Sequence, residues 1–402
     1  TGTVISGDMR VNDTFTFIHY FQGSQDSDSI TGGSEDRWEG FEGNAGNDTI
    51  DGGGGDAQAG YDAEHFEGGT SGITANLGTG DQATAIGTVT DTFGDTDTLI
   101  RINEIRGSVF DDTINGANRT DRLRLSGQEG NDSIVGGAGD DRLEGDDGND
   151  TLNGGGGENR LEGGAGDALF IVNAASTGEI IRTGLGNDTL NLTNAGLWVD
   201  IGINESGNAG IFTINAANNT GTISTGADGT TTLLGANTPI LNQDGGLSLN
   251  GNDTNDVFNI TQVQNGWLAL QGRGGSDTFN LGASTGGTIR MDYRDYDGNS
   301  TGIVANLTAG IVSDGLGGTD TINGLDAVQT ELRGSMATDV ITGSARDERF
   351  ILMGGNDTLD AGDGFDLVRY DRSGVQSGVT VNLGTGTATG TWDADGITSA
   401  FT

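Results

Sequence analysis

GQEGNDSIV, GGAGDDRLE, GDDGNDTLN, GGGGENRLE and GGAGDALFI fill the stretch from Gly127 to Ile171, five nine-residue units with no gaps. Each approximates G-G-x-G-x-D-x-U-x, where U is a large apolar residue. The spacing predicts a six-residue turn followed by a three-residue strand. Glycines at the first, second and fourth positions permit φ > 0 and a tight curl that turns carbonyl oxygens inward. Asp132, Asp141 and Asp150 at the sixth position add carboxylates. Calcium takes oxygens of both kinds, carboxylate and backbone carbonyl. The apolar members Ile134, Leu143, Leu152, Leu161 and Phe170 are predicted to point inward.

This spelling resembles the RTX (repeats-in-toxin) calcium-binding family. The resemblance implies an all-β chain folded as an elongated, right-handed parallel β-roll or β-solenoid with multiple bound Ca2+. Two units would make one coil. A calcium would lie between turns stacked on one edge, with positions two, four and six of one turn facing positions one, three and five of the next. Carried onto this chain, Gln128, Gly130 and Asp132 face Gly145, Asp147 and Asn149. Gly137, Gly139 and Asp141, in the unit opened by Gly136, face Gly154, Gly156 and Glu158. Asp146, Gly148 and Asp150 face Gly163, Ala165 and Asp167. Asn159 at position six weakens any site above Gly154, and Ala168 ends the run. Asp28, Asp48, Asp188, Asp256, Asp277, Asp339, Asp357 and Asp366 hold position six in scattered units and are expected ligands too.

The outer strand positions carry a second pattern. Arg142 and Glu144 recur as Arg160 and Glu162 on one face, while Ser133 and Val135 give way to Leu169 and Ile171 on the other. One sheet is expected to be charged outside and the other to drift towards apolar.

Composition sets the bounds. The chain has 402 residues, 76 Gly, one Pro, no Cys and a formal charge of −41, and all 18 basic residues are Arg. Such acidity argues against nucleic acid or an anionic membrane as partner. High charge with low hydrophobicity is the signature of disorder. A chain disordered without calcium and folded with it reconciles that signature with the repeats. No apolar run is long enough to span a membrane, and no signal peptide or type I secretion signal is evident. The chain is read as a fragment of something longer.

In chain order, residues 1–58 hold a predicted strand at Thr14–Phe21 and a short block of units at Gly23, Gly43 and Gly52. Residues 59–106 form a spacer containing GITANLGTG from Gly72. The main block, 107–171, opens with units at Gly107 and Gly116 that place Asp112 and Asp121 at position six, then slips by two residues at Leu125 and Ser126. Residues 172–290 read as a degenerate solenoid, with a small β-sandwich between Ala174 and Leu249 as the alternative. Residues 291–333 repeat the spacer, with GIVANLTAG from Gly302, and 334–369 add contiguous units in which Glu348 substitutes at position six. Residues 370–402 begin a further spacer at Gly378 that would overrun Thr402. Coils of about 18 residues stacked at about 4.8 Å would predict a rod on the order of 100 Å.

Catalytic motifs are weak. GASTG from Gly282 spells a nucleophile elbow, but both histidines, His19 and His65, precede it and no helix is evident. Trp38, Trp198, Trp267 and Trp392 are scattered and expected to be buried beside coils rather than to stack on sugar. The reading is therefore non-enzymatic: a secreted, calcium-stiffened segment of a bacterial surface-layer protein or large adhesin, with self-association in a lattice or a cell-surface polysaccharide as partner. The alternative is the secretion and folding module of a secreted lipase, protease or epimerase whose catalytic domain lies outside the chain.

Overall fold

The computed structural model describes residues 18–33, 37–61, 69–172, 176–191, 198–202, 211–215, 220–224, 230–234, 246–263, 267–284, 287–294, 301–370, 379–394 and 397–401. Strands dominate; among the described residues there is no α-helix, and one 3-10 turn covers Leu325–Ala327. The chain divides into two units, Thr1–Gly196 and Leu197–Thr402.

In the first unit the strands alternate between two parallel sheets. The repeat decides the register. Leu125 pairs with Leu143 and Leu143 with Leu161 in one sheet; Ile134 pairs with Leu152 and Leu152 with Phe170 in the other. Position eight therefore stacks on position eight of the next coil, and Ile134, Leu143, Leu152, Leu161 and Phe170 are all fully buried. Each such side chain contributes about 1.5–3 kcal/mol of burial, so the core is a column one residue wide. On the outer face Arg142 stacks on Arg160 and Glu144 on Glu162. Arg142 pairs with Glu144 and lies 3.6 Å from Glu162, which also pairs with Arg160. These exposed pairs add only about 0.2–1 kcal/mol each.

The spacer breaks this pattern. Thr74–Asn76, Ile86–Thr90 and Thr96–Ile100 form an antiparallel meander. Its two ends rejoin the parallel stack, Thr74–Asn76 beside Thr113–Asn115 and Thr96–Ile100 beside Thr49–Asp51. A parallel neighbour needs a long crossover, whereas short turns close hairpins directly. The turns are built for closure: Asp91 Oδ1 accepts from the Phe93 and Asp95 amides, and Gly94 has φ 93°.

The second unit uses the same device. Val304–Asn306, Ile311–Ser313 and Thr319–Asn323 form an antiparallel meander, bounded by parallel pairings to Val340–Ser344 and Thr278–Ser284. Ile211–Asn215, Thr220–Ser224 and Thr230–Leu234 form another, and Ile211–Asn215 runs parallel to Val257–Val263. Thr380–Asn382, Thr387–Ala394 and Ile397–Phe401 are again antiparallel. Phe258 and Phe279 stack at 4.8 Å inside the second unit.

Several expectations need correction. Within Ala174–Leu249 the described strands Ile211–Asn215, Thr220–Ser224 and Thr230–Leu234 form a meander whose first strand runs parallel to Val257–Val263. The first described strand is Tyr20–Gln22, and residues 14–17 of the predicted strand lie outside the described residues. The two-residue slip lies before the strand at Arg124, not after it. Leu123, not Asp121, occupies the sixth-position rung, because its amide donates to Asp141 Oδ1 at 2.7 Å and Leu125 pairs with Leu143. Trp38 is 40% exposed, stacks near Tyr20 and donates to Glu104, so it is not buried beside a coil. Trp267 lies half-buried under Arg290, 4.9 Å from its guanidinium carbon. The side chains of Trp198 and Trp392 lie outside the described residues, as does His65; His19 is exposed.

Candidate metal centre

The sixth-position carboxylates form ladders along the coil edges. Asp132 Oδ1 accepts from the amide of Asp112 at 2.7 Å, and Asp150 Oδ1 from that of Asp132 at 2.9 Å. The same contact joins Asp28 to Asp48, Asp256 to Asp277, Asp339 to Asp357 and Glu348 to Asp366. Asp141 and Asp188 likewise accept from the Leu123 and Ala168 amides. Fifth-position side chains make a second ladder outside the first. Asn149 Oδ1 accepts from the Asp167 amide, Asp167 Oδ1 from the Asn187 amide, and Glu158 donates its amide to Asp140.

What happens to the second carboxylate oxygen divides the turns into two kinds. In the capped kind it accepts from the amide at position two of its own turn. Asp28, Asp112, Asp141, Asp256, Asp339 and Glu348 are held this way by Ser24, Ser108, Gly137, Asn252, Ser335 and Ser344. In the open kind position two is left-handed and its amide points elsewhere. Asn44, Gln128, Asp146 and Arg273 have φ between 68° and 82°, with Gly46, Gly130, Gly148 and Gly275 left-handed at position four. In these turns Asp48, Asp132, Asp150 and Asp277 are buried and their Oδ2 atoms have no partner. A non-glycine residue with positive φ is uncommon, and four at one repeat position mark a constrained turn. Gly164 with Gly166, and Gly184 with Gly186, extend the left-handed geometry upward from Asp150 to the turn of Asp188.

The glycine at position one serves a different purpose from the one its spelling suggests. It is absent from the positive-φ residues in these turns. A Cβ on Gly127 would stand 1.9 Å from Asp132 Oδ2 and 2.9 Å from the Gly145 carbonyl oxygen. Gly136 and Gly145 face the same pair of groups, Asp141 Oδ2 with the Gly154 oxygen and Asp150 Oδ2 with the Gly163 oxygen. Gly127→Ala is therefore expected to push the carboxylate aside, at a cost of about 1–3 kcal/mol, and to weaken calcium binding at this edge, read by calorimetric titration against wild type.

Unpartnered buried carboxylate oxygens beside carbonyls are what a hard cation completes, and burial alone cannot sustain them. The comparisons agree. Residues 41–56, 124–152, 135–167 and 333–368 match the RTX calcium-binding nonapeptide repeat. The chain carries RTX calcium-binding repeats. These RTX nonapeptide repeats bind calcium ions. No curated protein matches the chain. Among solved structures, the extracellular lipase LipA from Serratia marcescens matches with 20% identity and a TM-score of 0.16 over 56% of this chain. The chain spans 38% of that lipase.

Electrostatics mark the open RTX turns as strained without a cation. Burial, then the neighbouring Asp112 and Asp150 carboxylates, pushes Asp132 up to about 8. Burial and then like charge push Asp277 to about 8, and Asp48 and Asp150 to about 6. Asp357 reaches about 7 by burial and the charge of Asp339. Asp141, although capped, rises to about 6 by burial, then Asp121 and Asp140.

Below the RTX turn of Asp141 the chain supplies its own cation. Arg119 is 1% exposed. Its guanidinium grips Asp121 with two nitrogens, at 2.9 and 2.6 Å, and donates to the carbonyls of Ile102 and Leu77 at 2.8 and 3.2 Å. A carboxylate and two carbonyls thus surround a fixed positive charge. Arg346 repeats the arrangement more loosely, reaching Glu348 at 3.2 Å and the Leu307 carbonyl at 3.3 Å. Sequence reasoning passed over both; the signal is an arginine two residues before an acid in a turn lacking left-handed φ. Removing one partner of a buried pair costs about 3–5 kcal/mol. Arg119→Ala should lower stability by that order in calcium-saturated urea denaturation.

Proposed function

We propose that this chain is a non-catalytic, calcium-stiffened segment of an extracellular bacterial protein of the surface-layer or adhesin kind. One observation supports the reading: open turns occur in both units, those of Asp48, Asp132 and Asp150 in the first and that of Asp277 in the second, and each unit also holds antiparallel meanders, so the chain repeats a scaffold rather than enclosing one site. Inside a cell, where calcium is scarce, a chain of charge −41 stays expanded. Outside, calcium at the millimolar levels that extracellular modules use completes the turns. RTX repeats of this kind suit export in the unfolded state followed by folding at the surface. Among the described residues no helix is long and apolar enough to cross a membrane.

Small-angle X-ray scattering on the full chain tests this. An unfolded chain of this length has a radius of gyration of about 70 Å. The expected result is that value in chelator and less than half of it in millimolar calcium. A radius unchanged by calcium would remove the stiffening role. Esterase, peptidase or polysaccharide-cleaving turnover by the purified chain would remove the non-catalytic one.

A further inference from the structure

Two of the meanders, 74–100 and 304–323, bring acidic side chains from outside the nonapeptide repeats against an open turn. In the first unit Asp97 Oδ1 accepts from the amide of Asp48 at 2.9 Å, so the meander continues the sixth-position ladder. Asp91 sits at the head of the same meander turn. The Oδ2 atoms of Asp48, Asp91 and Asp97 are all buried without a partner, as is the Tyr61 hydroxyl. Asp48, Asp91 and Asp97 are at most 1% exposed and Tyr61 is 7% exposed.

The second unit reproduces the set from different sequence. Asp320 Oδ1 accepts from the amide of Asp277 at 2.9 Å, and the Oδ2 atoms of Asp277, Asp314 and Asp320 and the Tyr293 hydroxyl are buried without partners. DTFGDTD closes the first meander turn and DGLGGTD the second. A Cβ on Gly318 would stand 1.4 Å from the Gly275 carbonyl oxygen and 2.7 Å from Asp314 Oδ2, so these two oxygens flank one point. Gly275 is the left-handed fourth residue of the open turn that carries Asp277. In the first unit the corresponding residue, Gly46, donates its amide to Asp95.

Three carboxylates with a free oxygen each, in a site closed to water, cannot all stay ionised unless a cation joins them. Burial and mutual repulsion raise the proton affinity of Asp48, Asp97, Asp277 and Asp320. Burial first, then the same charges, raise Tyr61 and Tyr293 well above the usual phenol range, so both hydroxyls stay neutral beside Asp97 and Asp320. No three acidic side chains meet at one point among the described residues. The carboxylates stand rung above rung, and in the second unit the Gly275 carbonyl oxygen lies beside Asp314 Oδ2, an arrangement that suits the loose oxygen shell of calcium better than the strict octahedron of magnesium.

We propose that the meanders 74–100 and 304–323 each complete a calcium site of a second kind, built by Asp48, Asp91 and Asp97 beside Tyr61 and by Asp277, Asp314 and Asp320 beside Tyr293. Such a site pins the antiparallel insert to the parallel stack, where the coil repeat is interrupted. The inference rests on calcium binding by the chain as a whole and adds ions that the nonapeptide repeats do not account for.

The test counts calcium bound to the full chain at about pH 8 by equilibrium dialysis, in wild type and in a chain carrying Asp91→Asn and Asp314→Asn. Both residues lie outside the nonapeptide turns. The expected result is a loss of two ions per chain, one at each of these two meanders, with the β-sheet circular dichroism in calcium retained. An unchanged count in a folded variant overturns the inference and leaves the proposed function standing. A wild type that binds no calcium overturns both. Should the variant fail to fold, terbium replaces calcium in wild type and in Tyr61→Phe, Tyr293→Phe, which lose only two hydroxyls. Tyrosine-sensitised terbium emission is expected to fall in that variant, and emission equal to wild type overturns the inference.

Discussion

In chelator the chain is expected to lose most of its far-ultraviolet β signal, and calcium but not magnesium to restore it. Charge is the first reason. The chain carries 59 acidic residues against 18 arginines. Folding concentrates the acids along the coil edges, where Asp48, Asp132, Asp150 and Asp277 are buried with an oxygen unpartnered. The opposing gain is a core only one apolar residue wide per strand, Leu125 on Leu143 on Leu161 and Ile134 on Leu152 on Phe170. Without a cation, several ionised carboxylates must be desolvated for each such column, and a domain's net stability is only about 5–15 kcal/mol. Calcium reverses the balance because its binding energy becomes folding energy. Magnesium demands a near-ideal octahedron and gives up water reluctantly, so turns built of carbonyls do not suit it. The midpoint is expected at roughly 10⁻⁴–10⁻³ M calcium, the range of extracellular modules. A chain already fully β-structured in chelator would show that the apolar columns suffice alone.

Acid is expected to replace calcium in part. In the unfolded chain these carboxyls titrate near the ordinary Asp value of about 3.9. In the folded, calcium-free chain burial raises Asp150 and Asp48 to about 6 and Asp132 and Asp277 to about 8. The folded state then binds more protons than the unfolded between those limits, so its stability rises as pH falls through that window. The gain is complete below the unfolded value and is lost as pH rises through the folded ones. Each tenfold rise in a carboxylate's proton affinity on folding is worth about 1.4 kcal/mol. In chelator, β signal should therefore return on acidification from about pH 8 to pH 5, and added calcium should change little at the lower pH. Equal disorder at both values would mean that the buried carboxylates do not control folding.

The candidate site was legible to different depths. Glycine at position four marks the open turns of Asp48, Asp132, Asp150 and Asp277, because glycine takes left-handed φ without steric cost. Its absence marks the capped turns of Asp28, Asp112, Asp256, Asp339 and Glu348. The unit GGAGDDRLE breaks the rule. It has the best spelling of the five, yet Gly137 caps Asp141 and neither Gly137 nor Gly139 is left-handed. Its lower neighbour is the turn of Arg119 rather than another open turn, as the amide of Ala138 donating to the Arg119 carbonyl shows. Stretches such as IGTVT and TDTLI read equally as parallel or antiparallel strands, because both alternate with period two.

The sequence by itself determined the coil repeat, the inward column at position eight and the turns able to take left-handed φ. These follow from the size and backbone freedom of single residues at a fixed spacing. Only the tertiary structure decided which carboxylates are left without partners, that the spacers return as meanders, and that Arg119 lies buried between Asp121 and two carbonyls. The physical reason is that hydrogen-bond partners in a solenoid come from the coil above or below. Asp97 meets Asp48, and Asp320 meets Asp277, across chain separations that no local pattern encodes.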